Sequence, residues 1–150
     1  MTTRSIALLR HSFFAAALVL AAAVPLSAAA ADATKFTAKL SGTSEVPPNT
    51  SVGIGTLDAT LDPATSQLSW TLTYSGLTGP ASAAHFHGPA MPGANAGVAL
   101  PFANPTSPIE GKATLTPAQV ADLTAGKWYA NVHTAANPGG EIRGQVVPAK

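Results

Sequence analysis

Residues 67–74 alternate without a break. Leu68, Trp70, Leu72 and Tyr74 fall on one side, and Gln67, Ser69, Thr71 and Thr73 on the other. A period of two predicts a strand with one buried face. The segment before it repeats the pattern, with Gly55, Leu57, Ala59 and Leu61 opposed to Thr56, Asp58 and Thr60. Asp62-Pro63-Ala64-Thr65 lies between the two and supplies turn residues, so they form a hairpin. Residues 36–40, 83–87, 98–102 and 109–115 read as four more short strands.

One helix interrupts the strands. Thr116 serves as its N-cap, Pro117 takes the first helical position and Gln119 closes a capping box. Val120 and Leu123 give a narrow apolar side and Gly126 ends the helix, so it is a connector of about 9 residues packed on the sheet. Two strands follow, 128–134 and 141–147, joined through Asn137-Pro138-Gly139-Gly140. Trp128, Ala130 and Val132 point to the core, as do Ile142, Gly144 and Val146. Tyr129, Asn131 and His133 then point away, with Glu141, Arg143, Gln145 and Val147. The simplest register opposes His133 to Arg143. Trp70 reads as core, and Glu45 and Met91 lie in the loops 41–50 and 88–97. Short strands with Pro/Gly turns and one short helix indicate an all-β protein, an antiparallel Greek-key β-sandwich.

The start of the chain reads as a leader. Arg4, Arg10 and His11 precede an apolar run at 13–24, Pro25 breaks it, and 27–31 supplies small residues for cleavage after Ala31. The run is too short for a membrane span. The expected mature domain is therefore 32–150, exported to a secreted or periplasmic location. Loss of Arg4 and Arg10 takes the basic count from 8 to 6 against 7 acidic residues, a net charge of −1. That balance gives no footprint for nucleic acid or for an anionic membrane. The chain has no cysteine. Export permits disulfides but none can form, and a thiolate metal site is excluded.

Histidine use is the chemical signal. Of four histidines, His11 lies in the leader and the others are His85, His87 and His133. In a strand, residues i and i+2 share a face about 6.5–7 Å apart, so His85 and His87 can meet one ion while Phe86 enters the core. Three imidazoles suit one transition-metal ion, copper, zinc or iron, with Glu45 or water in a fourth position. The plain alternative is a polar strand end running into His87-Gly88-Pro89, where histidines hydrogen-bond at the surface.

Three blocks carry a resemblance: Glu45-Val46-Pro47-Pro48, Ala84-His85-Phe86-His87-Gly88-Pro89-Ala90, and Tyr129-Ala130-Asn131-Val132-His133-Thr134 running into Pro138-Gly139-Gly140-Glu141-Ile142-Arg143-Gly144-Gln145. Together they resemble the chordin-type (CHRD) domain from about residue 36 to 147. The chain resembles the single-domain exported form of that family, whose biochemical role is poorly defined. The site is also similar to that of copper–zinc superoxide dismutase, a Greek-key sandwich with an H-x-H strand, a later histidine and an arginine that guides substrate. That similarity implies an immunoglobulin-like or superoxide-dismutase-like sandwich, copper at His85, His87 and His133, and Arg143 as a catalytic residue attracting superoxide. No bridging histidine or second metal cluster is present, so only a copper-only form is compatible. The expectation is an exported domain that binds one metal ion, copper favoured, with a small anion as substrate. The other reading is a non-catalytic extracellular or cell-envelope module for an unknown ligand.

Overall fold

The computed structural model describes residues 32–150. Residues 1–31, the expected leader, lie outside the described residues. Eight strands form: β1 Thr34–Ser41, β2 Ile54–Asp62, β3 Gln67–Ser75, β4 Ala81–His87, β5 Val98–Pro101, β6 Ile109–Thr114, β7 Trp128–Thr134 and β8 Ile142–Pro148. They are antiparallel and hydrogen-bond into one sheet in the order β5-β4-β7-β8-β1-β2-β3-β6. A 3-10 turn, Gly42–Ser44, follows β1, and the helix α1 runs Pro117–Thr124. The all-β antiparallel reading with one short helix holds. The two layers come from one sheet curled over into a half-barrel.

The core shows the curl. Trp70 on β3 and Phe86 on β4 sit five places apart in the strand order, yet their rings meet edge to face at 5.3 Å. Phe102 stacks on Trp70 at 5.2 Å, and Trp128 lies 5.5 Å from Phe86. Such pairs add to the burial of large rings that dominates core energetics. The expected faces of β2 and β3 are observed: Leu57, Leu61, Leu68 and Leu72 are fully buried, while Thr71 and Asp58 stay exposed. The α1 capping box forms, with Gln119 N–H donating to Thr116 Oγ1 and Thr116 N–H donating to Gln119 Oε1.

Gly111 on β6 lies flat beneath Trp70. A methyl group there would overlap the indole ring. Gly111→Ala should therefore destabilise the fold by about 1–3 kcal/mol, the usual cost of overpacking a filled core. A denaturant melt checks this, and an unchanged midpoint would show that the ring is free to shift.

β7 breaks the alternation. Every residue from Trp128 to Val132 is buried. One face meets the core, and the loop 88–97 covers the other. Ala96 N–H donates to Tyr129 Oη at 3.1 Å, and Arg143 donates through Nη1 to Asn95 Oδ1 at 2.8 Å and through Nη2 to Ala94 O. This cover buries Tyr129, Asn131 and Arg143 on the outer surface of β7 and β8, and the three histidines lie half-buried beside them.

Candidate metal centre

The H-x-H motif behaves as strand geometry requires. β4 holds Phe86 in the core, fully buried, and puts His85 and His87 on the outer face. β7 lies beside β4, with His85 opposite Asn131, His87 opposite Tyr129 and Ala83 opposite His133. His133 is thus the diagonal neighbour of His85, a position from which long side chains meet. His85 Nδ1 lies 3.3 Å from His133 Nε2. One nitrogen from each of the three rings falls within 4.8 Å of the others.

At His87 and His133 the other ring nitrogen is held by the backbone. His87 Nδ1 lies 2.9 Å from Ala96 O, and His133 Nδ1 lies 2.9 Å from Pro138 O. A carbonyl only accepts, so each Nδ1 carries a hydrogen and each Nε2 carries a lone pair. Fixing a tautomer through the second ring nitrogen is how metal-binding histidines are oriented. His87 Nε2 is buried and has no partner. His133 Nε2 faces His85 Nδ1 and, at 2.9 Å, the Asn131 side-chain amide. With a lone pair on Nε2, that amide must present its NH₂ rather than its oxygen.

Electrostatics favour the neutral form at His85 and His133. Burial lowers the His85 pKa, and the neighbouring His133 and His87 lower it further. Burial also lowers that of His133; the Pro138 contact opposes the shift and His87 adds to it. A neutral imidazole is the form that binds a metal. Tetrahedral coordination at about 2.0–2.1 Å puts ligand nitrogens about 3.3–3.4 Å apart, the separation already present between His85 and His133. The residues fit a transition-metal ion.

Glu45 stands apart from the three-nitrogen group. It is only 5% exposed, so it is not a solvated loop charge. Its carboxyl packs on Gly140, where a Cβ would come within 2.5 Å of Oε1 and φ is +133°. Only glycine suits both the conformation and the approach. Burial pushes the Glu45 pKa up to about 7, against the pull of Arg143 and of the Val46 N–H.

Arg143 departs from expectation. The last hairpin pairs Asn131, not His133, with Arg143, because β7 is displaced by two residues from the simplest register. A shift of two keeps every side chain on its face. Arg143 is 2% exposed, and its guanidinium carbon lies 3.4 Å from the Tyr129 ring centroid. His87 stacks parallel on the same Tyr129 ring at 4.8 Å. Arg143 is therefore buried, and among the described residues it forms no ion pair with Glu110 or Glu141. It pins the loop 88–97 over Tyr129 and so braces His87. Sequence reasoning missed Tyr129, Asn131, Ala96 and Pro138 as members of the site. Parity placed the first two on the right face, but nothing local shows a loop folding over them.

The CHRD domain family model matches residues 36–146 of this chain. No curated protein and no solved structure matches it.

Proposed function

We propose that this chain, which belongs to the CHRD domain family, binds one transition-metal ion between His85, His87 and His133. The carrying observation is the convergence of three imidazoles whose outward nitrogens are tied to backbone carbonyls at His87 and His133, with His87 Nε2 buried and unpartnered. Copper is favoured because nitrogen sites bind it most tightly among divalent first-row ions; zinc and iron are compatible with the same donors. Three protein ligands leave a position for water or a small anion, as in catalytic rather than structural sites. When held, copper supplies one-electron redox chemistry. The chain's own residues orient the rings through Ala96 and Pro138 and shield them with the loop 88–97.

Superoxide dismutation is the finer expectation, and the burial of Arg143 leaves it without the exposed cation meant to guide the anion. Among the described residues no helix is long and apolar enough to cross a membrane. Copper(II) or zinc titration of the purified protein, followed by elemental analysis, should give about one ion per chain. No stoichiometric binding would overturn the metal reading and leave a non-catalytic extracellular or cell-envelope binding module. A loaded protein that dismutates superoxide no faster than free copper would retain the site and remove the enzyme.

A further inference from the structure

Asn131 stands inside the histidine group. It lies directly opposite His85 across the β4–β7 pair and two residues before His133, so all three side chains share the outer face. Directly opposed residues have Cβ atoms about 4.5–5.5 Å apart, which brings the short amide close to both rings. The amide lies 2.9 Å from His133 Nε2, and that is the one side-chain hydrogen bond Asn131 makes among the described residues. The residue is 3% exposed, so its amide has little contact with water.

That contact has to change when an ion binds. The proton of His133 is committed at Nδ1 to Pro138 O, so Nε2 has a lone pair and the amide offers it an N–H. An ion held by the three rings takes the same lone pair. The amide hydrogens, the positive end of the group, would then face a cation. A half-turn about the last side-chain bond exchanges nitrogen for oxygen in almost the same space. The oxygen has two lone pairs, and side-chain carbonyl oxygens serve as ligands of metal cations.

Distance and competition agree with this role. Nitrogen and oxygen donors about 2.0–2.2 Å from one ion, and at right angles to each other, lie about 2.9 Å apart. The amide and His133 Nε2 already have that separation. Copper(II) takes such angles in tetragonal sets of nitrogen and oxygen. Neither Glu45 nor Glu141 belongs to the three-nitrogen group, and the carboxylate of Glu141 is spent on Ser51, Thr78 and Thr134. We infer that Asn131 is a protein ligand of the ion through its side-chain oxygen, in the fourth position that the sequence offers to Glu45 or water. The inference rests on the three-histidine reading. Tetragonal coordination by four protein donors still leaves an axial position for water or a small anion.

The test is electron–nuclear double resonance of the purified protein, loaded with one equivalent of copper(II) and carrying carbon-13 at the side-chain carbonyl of asparagine. A carbon one bond from a ligating oxygen should show a resolved coupling to the copper electron, and the coupling should vanish in Asn131→Ala. That variant should also bind copper(II) at least about tenfold more weakly in a calorimetric titration. A thermal melt verifies its fold, and the spectrum of the parent decides the case even if the variant does not fold. A parent that takes up copper without the coupling, a coupling that persists in Asn131→Ala, or a folded variant that binds as tightly as the parent overturns the ligand role and leaves the three histidines in place. A parent that takes up no copper overturns the three-histidine reading and this inference with it.

Discussion

A His85→Ala/His87→Ala variant is expected to lose metal binding, with affinity falling by more than about 100-fold. Outer partners that merely orient a ligand are worth about 10–100-fold each, and two direct ligands must be worth more than one such partner. The loss should be specific. Both side chains stand on the outer face of β4, while Ala84 and Phe86 on its inner face keep the core contacts. The metal-free melting temperature should therefore stay close to that of the parent. Calorimetric titration with copper(II) measures the affinity, and electron paramagnetic resonance reports nitrogen ligation. Undiminished binding by the variant would remove these residues from the site. The pH dependence adds an independent check. Protons compete with the metal for the same lone pairs. Because burial lowers the pKa of His85 and His133 below the ordinary 6.5, proton competition at these two ligands should set in only under more acidic conditions.

The parts of this molecule legible in its sequence are those set by local rules. The β2–β3 hairpin has water on one face and core on the other, so alternation places Leu57, Trp70 and Leu72 correctly. The α1 cap is written in adjacent residues and forms as read. His85 and His87 share a face because the strand period demands it, and His133 joins them through a pairing that parity alone restricts. What escaped has non-local causes. The 88–97 loop of glycine, proline and alanine carries no periodic signal, yet its backbone oxygens at Ala94 and Ala96 hold Arg143, Tyr129 and His87. Residues read as facing solvent are buried beneath it. The final register depends on how many residues the turn consumes. Pairing ends at Val132 and Ile142, which moves Arg143 opposite Asn131 without changing its face. Charged residues are outside by default. Glu45 and Glu141 depart from that rule because distant segments close over them.

Glu141→Ala is expected to destabilise the fold by about 3–5 kcal/mol, near the upper end for a single substitution. Glu141 precedes β8 on the face opposite the core, and simple alternation exposes it; in the structure it is fully buried. Its Oε1 accepts from Ser51 Oγ and from the Thr78 backbone N–H, each at 2.7 Å. Its Oε2 accepts from the hydroxyls of Thr78 and Thr134. One carboxylate thus ties the loop before β2, the loop before β4 and the end of β7 to the last strand. Alanine removes the acceptor shared by those donors, of which Thr134 is itself buried, and a buried donor left unpaired costs about 1–3 kcal/mol. The same contacts set a pH dependence. Burial alone would raise the pKa, but the bonds from Thr134, Thr78 and Ser51 outweigh it and hold the group at about 2, below the ordinary 4.5. A depressed folded value means that the unfolded chain takes up the proton first as acid is added. The stabilisation is complete above about pH 4.5, and it is lost as pH falls towards 2. Denaturant melts between pH 7 and pH 2 should show the parent losing stability over this window, while Glu141→Gln, which keeps the shape but cannot titrate, shows a flatter profile. If parent and Gln variant decline in parallel, the acid sensitivity belongs to other carboxylates, and the contribution of Glu141 is shape and hydrogen bonding without charge.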